Sequence, residues 1–267
     1  MNTARISASS YSNTAPLVWS FLYGHNHGRV EIILDNAPAR SAELLARDRV
    51  DAALVPVVAY QTIDRARLIP DVCVGARERV RSVCLVTRGE NLDGVRSVAL
   101  DTSSRTSVVL TKIIFREFLG FEPDWKDAEP DLDKMLAASD AALIIGDPAL
   151  IIPDRTVTQN SPLRKFDLAE LWRDYTGLGF VFAMWMTRQP ICGIDFANVR
   201  DEGLLHIDEI AANYASDIGL DRTEMKRYLL KNISYSIDDS MRQGMQHFFE
   251  LAAAHSLIPE NKPLEFT

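Results

Sequence analysis

The sequence predicts an α/β fold with a largely parallel sheet. Three observations carry the prediction. Up to Met186, short apolar runs alternate with stretches of helical periodicity. Two of the strand-like runs lead through hydroxyl-rich loops straight into helices, the arrangement that places ligands beyond strand ends in parallel sheets. After Asp201 the texture changes to helices alone.

In chain order, Arg5–Ser9 is the first strand. Ser9-Ser10-Tyr11-Ser12-Asn13-Thr14 follows it and precedes a helix at Pro16–Leu22, with Pro16 suited to the first turn. Val30–Leu34 reads as a strand, Ala39–Arg47 as a helix, and Ala52–Val55, Ser82–Val86 and Ser97–Leu100 as strands. Thr106–Leu119 has the clearest helical stripe. Val109 and Ile113, then Val108, Phe115 and Leu119, recur at helical spacing, Lys112, Arg116 and Glu117 mark the wet side, and Gly120 supplies a left-handed stop. Leu132–Ala138 and Leu168–Tyr175 read as helices, and Ala141–Ile145 and Phe180–Met186 as strands. Trp172, Tyr175, Phe180, Phe182 and Trp185 surround Thr176-Gly177-Leu178-Gly179 and read mostly as core. The two glycines mark a bend where the chain changes layer or meets a ligand. Helical patterns at Glu202–Ile218, Arg222–Leu230 and Asp238–Ala254 should pack on existing structure rather than form a separate domain.

A chain of 267 residues, 47% hydrophobic and 25% charged, can bury a sizeable core. The net charge of −8 argues against nucleic acid as a partner, so an anionic ligand would be attracted locally, against the global field. No signal peptide and no run long enough to span a membrane is read from the sequence. Cys73, Cys84 and Cys192 lack metal or redox spacing and read as reduced, mostly buried thiols of a cytoplasmic protein. His25 and His27 have no third ligand at metal spacing, so no metal is expected.

The most informative segment is Asp101-Thr102-Ser103-Ser104-Arg105-Thr106-Ser107, between a strand and the best-defined helix. A helix start carries unpaired N–H groups and partial positive charge. The hydroxyls around it make either an over-furnished cap or a seat for a carboxylate or phosphate. Arg105 is unfavourable at this helix end; it requires Asp101 or Asp147 as partner, or a ligand's charge. Asn13, able to donate and accept, is either a plain cap or a ligand contact. Ser82 opens a strand and is uninformative alone. Ile145-Gly146-Asp147-Pro148 ends a strand in a tight turn, with Gly146 permitting close backbone approach and Asp147 read first as a cap. No metalloprotease, nucleophile-elbow, P-loop or dinucleotide motif is present.

Six segments in one order carry a resemblance: Ser10–Leu17 (SYSNTAPL), Asp51–Val57 (DAALVPV), Arg81–Val86 (RSVCLV), Asp101–Ser107 (DTSSRTS), Ala142–Leu150 (ALIIGDPAL) and Thr176–Trp185 (TGLGFVFAMW). Together they resemble the chorismate dehydratases of the futalosine route to menaquinone, through nearly the whole chain and more weakly after Trp185. Two departures, Gly179 where the family carries proline and Tyr175 where it carries tryptophan, are expected to alter loop stiffness near the cleft. The resemblance implies a two-lobed α/β fold like the type II periplasmic binding proteins, with a ligand cleft between the lobes. The expected division is residues 1–87 plus 188–267 in one lobe and 88–187 in the other. It further implies a cofactor-independent hydro-lyase acting on chorismate, with no nucleic acid or membrane partner; a homodimer is left open.

On that resemblance, Ser103, Ser104, Arg105, Thr106 and Ser107 would hold one substrate carboxylate. Asn13 and Ser82, with Ser12, Thr14 and Gly146 around them, would hold the other carboxylate or the departing hydroxyl. Asp147 is the candidate proton acceptor, and if it cannot reach C3 the substrate's own enolpyruvyl carboxylate takes that role. Two rivals remain: a carboxylate-binding module of the same fold, and the related dihydroxynaphthoate synthase, which would need a cleft histidine. All five histidines fall outside the six segments.

Overall fold

A computed structural model describes residues 3–157, 162–189 and 193–267. Among the described residues, eleven strands form two sheets. The first sheet has the order β2-β1-β3-β11-β4, from β1 (Ala4–Ser9), β2 (Val30–Asp35), β3 (Ala52–Pro56), β4 (Arg67–Ala76) and β11 (Phe180–Thr187). The second has the order β7-β6-β8-β5-β10-β9, from β5 (Val83–Thr87), β6 (Ser97–Asp101), β7 (Asp124–Ala128), β8 (Ala141–Ile145), β9 (Arg155–Val157) and β10 (Pro162–Asp167). Strands β3, β5 and β8 are buried throughout, which is why they read as unbroken apolar runs.

Sheet membership divides the chain at points slightly different from the expected lobe boundaries. Strand β5 was expected to close the first lobe, yet it pairs with β8 and β10 in the second sheet. Strand β11 was expected in the second lobe, yet it pairs with β3 and β4 in the first. The chain therefore crosses between β4 and β5 and returns between β10 and β11, on each occasion just before the strand rather than after it. The largely parallel sheet is also corrected. Pairs β1·β2, β1·β3, β6·β7 and β6·β8 are parallel, but every pairing made by β5, β10 and β11 is antiparallel. Strands that carry the chain between lobes enter from the opposite end.

The helices are α1 (Ala15–Leu22), α2 (Pro38–Ala46), α3 (Thr106–Ile113), α4 (Leu132–Ala138), α5 (Asp147–Leu150), α6 (Leu168–Thr176), α7 (Phe196–Leu205), α8 (Ile207–Ile218), α9 (Arg222–Arg227) and α10 (Asp239–Ala254). Helices α3 and α9 each run on into a wider turn, at Ile114–Leu119 and Tyr228–Asn232. Gly120 ends the first of these at φ 75°, as the sequence predicts. The pattern expected as one helix over Glu202–Ile218 divides at His206, whose ring stacks on Trp19 at 3.7 Å.

One continuous apolar core runs through both lobes. Helix α10 joins them: Phe248 packs edge-on to Trp172 of α6 and to Phe180 at the start of β11. A smaller cluster, with Cys84, Val86, Met135 and Ile144, fills the other face of the second sheet. Gly177 and Gly179 lie at the return crossing. Neither Gly179 nor Tyr175 lines the cleft cavity: Gly179 donates its N–H to Ser240, and Tyr175 is an exposed ring stacked on Phe118 at 4.5 Å.

Cys73 and Cys84 are free and fully buried, and burial pushes both thiols up to about 12. Cys192 lies outside the described residues. Among the described residues, no helix is long and apolar enough to cross a membrane, and no group of three His, Cys, Asp or Glu is placed to hold a metal ion.

Candidate active site

Four strands end at the boundary between the lobes: β1 and β3 from the first sheet, β6 and β8 from the second. The loops beyond their carboxyl ends meet across a cleft, as the geometry of parallel sheets requires. The cavity there is lined by Ser9, Tyr11, Asn13 and Thr14 from one lobe and by Ser104, Thr106, Ser107 and Gly146 from the other. Pro56, Phe182, Val83 and Ile145 add apolar walls. Its volume is about 70 Å³, room for roughly two water molecules. A larger crevice of about 570 Å³ between Thr87 and Asp140 gathers no comparable hydroxyl cluster. Its Asp140 is already occupied by the backbone N–H groups of Arg96 and Ser97.

Not every hydroxyl at the site is free. Thr14 donates to the carbonyls of Ser9 (2.6 Å) and Tyr11 (2.8 Å), bracing the loop that presents Asn13. Asn13 is buried on the cavity wall, and no hydrogen bond holds its amide among the described residues. Ser104 accepts from Ser107 N–H at 3.3 Å and so acts as the cap of α3. Thr106 accepts from Val58 N–H of the opposite lobe at 3.3 Å. Ser107 lines the cavity.

Two of the residues expected at the helix start turn elsewhere. The Ser103 hydroxyl and N–H both donate to Asp101, at 2.6 and 2.9 Å. A buried carboxylate beside a hydroxyl outcompetes an empty cleft for it. Arg105 pairs with Glu43 of the other lobe at 3.0 Å, neither with Asp101 or Asp147 nor into the cavity. Its acidic partner exists, as its place at a helix N-terminus demands, but on α2.

Ser12, Ser82 and Asp147 are not among the residues that line the cavity. Asp147 begins α5, and its carboxylate crosses to the first lobe, accepting from Ser12 N–H at 3.1 and 3.2 Å and from the Ser12 hydroxyl. Burial raises its pKa, and the Ser12 hydrogen bonds offset part of the rise. Asp147 in turn helps burial lift the Tyr214 hydroxyl to about 12. Gly146 takes φ 69° and ψ −153°, and a Cβ there would lie 2.7 Å from the Tyr11 ring. This glycine lets the two lobes meet.

Ser82 is fully buried at the first crossing. Its carbonyl accepts from Gly146 N–H at 2.7 Å, and its hydroxyl reaches only the Val80 carbonyl, at 3.4 Å. Arg81, beside it, sits at φ 64°. That conformation is held by Asp167, a buried carboxylate that accepts from the N–H groups of Val80, Arg81, Ala169 and Glu170. A buried acceptor for four backbone donors fixes the crossing and with it Ser82.

Tyr228, in the wide turn after α9, was not singled out from the sequence. Its side chain is fully buried, and its hydroxyl lies beside Ser82 and Asn13 but short of hydrogen-bond geometry with either. No sequence signal near residue 228 points to the site; only the fold brings it there. The five histidines are absent from the cavity lining.

A family profile described as menaquinone biosynthesis matches residues 4–254. A chorismate dehydratase from Thermus thermophilus is 32% identical over 259 residues, covering 90% of this chain and 92% of that protein. Among solved structures, a protein from Archaeoglobus fulgidus superimposes with a TM-score of 0.68 at 19% identity, covering 96% of this chain and 98% of that one. The periplasmic aliphatic sulphonate-binding protein SsuA of Escherichia coli gives a TM-score of 0.63 at 14% identity, with 99% and 93% covered. These likenesses show a two-lobed periplasmic-binding-protein-like fold.

Proposed function

The chain belongs to the menaquinone-biosynthesis family, and from that premise we propose that it dehydrates chorismate to 3-[(1-carboxyvinyl)oxy]benzoate. The observation that carries the reading is the 32% identity to a chorismate dehydratase over nine-tenths of the chain. The cleft supports it: a small cavity with an unheld Asn13 amide, the hydroxyl residues Ser104, Thr106 and Ser107 of a helix start, and apolar walls. Its lining has no histidine, which counts against the naphthoate synthase reading.

Loss of the C3 proton and the C4 hydroxyl makes the ring aromatic. The reaction is redox-neutral, so its electron count needs no redox cofactor. What the protein supplies is orientation, two carboxylate seats and stabilisation of the charge that spreads into the C1 carboxylate. The start of α3, with Ser104, Thr106 and Ser107, is the seat for one carboxylate. Asn13 and Ser82 hold the departing hydroxyl. Ser103 and Arg105 act indirectly, through Asp101 and through Glu43 across the cleft.

Asp147 spends both oxygens on Ser12. The proton acceptor in this reading is therefore the substrate's own enolpyruvyl carboxylate, whose effective concentration near C3 is high. Asp147 serves as an inter-lobe latch. The site is built within one chain, and the buried free thiols fit a reducing cytoplasm.

Purified protein mixed with chorismate should yield the aromatic product, read by absorbance and mass. Tight binding without turnover would make the chain a binding module, and neither would overturn the assignment. An Asp147→Asn enzyme should keep turnover within about threefold, a small change beside the 10²–10⁴ that a general base supplies. A collapse of turnover with binding intact would make Asp147 the base.

A further inference from the structure

We propose that the crevice shared by β10 and the α9 segment is a second binding site, one for a small phosphate ester. The proposal stands apart from the dehydratase reading and uses none of the residues that line the cleft cavity. The crevice has a volume of about 750 Å³, within the range of small-molecule sites. Its lining comes from three places: Leu150–Asp154 with Lys165 of β10, Arg79 and Arg81 at the first crossing, and α9 with its wide turn.

The charge of this crevice is opposite to that of the molecule. The chain carries a net −8, yet five cationic side chains line the crevice against three carboxylates. All three carboxylates are already engaged. Asp154 pairs with Arg79 at 2.6 Å, Glu224 with Arg81 at 2.6 Å, and Glu78 with Arg173 at 2.8 Å. Glu224 would be the partner of Arg227 on its own helix, but Arg81 has taken it. Lys226, next to Arg227, is held by Asp208 at 2.7 Å. Arg227 and Lys231 are exposed and pair with no carboxylate among the described residues. Like charges four residues apart on a helical segment repel, and an anion between them removes that cost. Lys165 adds a third donor. Its ammonium donates to the carbonyls of Ala149 (2.6 Å) and Ile152 (3.2 Å), which fixes it and leaves one N–H over. Three cationic donors, from β10, α9 and the wide turn, match the three terminal oxygens of a phosphate monoester better than the two of a carboxylate. The crevice is too large for phosphate alone, and Leu150, Pro153 and Leu220 give it an apolar part. The ligand is therefore a phosphate carried on a body with apolar surface.

The test is calorimetric titration of the full chain with phenyl phosphate, and separately with inorganic phosphate, in about 0.1 M salt. Phenyl phosphate should bind saturably at one site, with Kd below about 1 mM. It should bind about fivefold or more tighter than inorganic phosphate, through burial of its ring. Arg227→Ala combined with Lys231→Ala should weaken it about tenfold or more. Lys226→Ala removes a neighbouring cation outside the crevice lining and should change it less than about twofold. Chorismate turnover in the double variant should stay within about twofold, since neither residue lines the cleft cavity. No saturable binding of phenyl phosphate by about 10 mM, or unchanged binding in the double variant, would overturn the site. Equal weakening by Lys226→Ala would make the attraction a general surface field and overturn it as well. Equal affinity for inorganic phosphate would overturn the ester, and lost turnover in the double variant would overturn the separateness of the two sites. A wild type that binds phenyl phosphate and leaves chorismate intact would fail the dehydratase reading and leave this site standing.

Discussion

Gly146→Ala offers a severe test of how the lobes meet. Two costs arise, and the structure separates them. The first is conformational: Gly146 sits at φ 69° and ψ −153°, a region essentially reserved for glycine, and an alanine held there costs about 1–3 kcal/mol. The second is steric. The new Cβ would lie 2.7 Å from two atoms of the Tyr11 ring, on the opposite lobe. The ring must retreat by several tenths of an ångström, and overpacking of this kind costs about 1–3 kcal/mol. The sum is about 2–6 kcal/mol, measured by urea unfolding with the m-value checked for constancy. Only the second term depends on Tyr11. In a cycle with Tyr11→Ala, the double variant should therefore recover about 1–3 kcal/mol over the additive expectation. A loss below about 1 kcal/mol in Gly146→Ala, or strict additivity with Tyr11→Ala, would refute the argument that this glycine admits the facing ring.

Further expectations follow from the same site. Asn13→Ala and Ser82→Ala should each slow turnover by about 10²-fold, the scale for losing one donor to a developing charge; wild-type rates would remove them from the chemistry. Arg105→Ala should leave KM nearly unchanged and cost no more than about 1 kcal/mol, since its pair with Glu43 is partly exposed; a tenfold rise in KM would return Arg105 to the substrate. Asp147 has a folded-state pKa above its unfolded value, so its contribution is full at low pH and is lost as pH rises through the folded pKa. Asp147→Asn should therefore gain stability over the wild type as pH rises from about 4, read as melting temperature across pH 4 to 8; a constant difference would deny the shift.

Much of the fold was legible because burial leaves a pattern. Strands β3 and β8 are covered on both faces and show as apolar runs. Strand β4 was overlooked because Pro70 and Asp71 interrupt it, which only an edge strand tolerates. Strand β7, at the other sheet's edge, is polar enough to pass for a loop. The hydroxyl-rich helix start was equally legible, but which hydroxyls are free was not. Ser103 is claimed by Asp101, and Thr14 by two carbonyls, through turn geometry that composition does not encode. Tyr228 is buried by tertiary packing of the wide turn after α9, so no local signal could announce it.

The latch between Asp147 and Ser12, the Thr106 bond to Val58, and the shared core through α10 tie the two lobes together across the cleft. A cavity of about 70 Å³ is well below the size that small-molecule sites need. Entry of a ring-sized substrate is expected to require these ties to part. Apparent affinity is then the intrinsic affinity diluted by the open fraction, and in stopped-flow mixing the observed association rate should level off with rising chorismate at the rate of opening. Weakening the latch with Ser12→Ala should raise that plateau, so a variant chosen to damage the enzyme would bind its substrate faster.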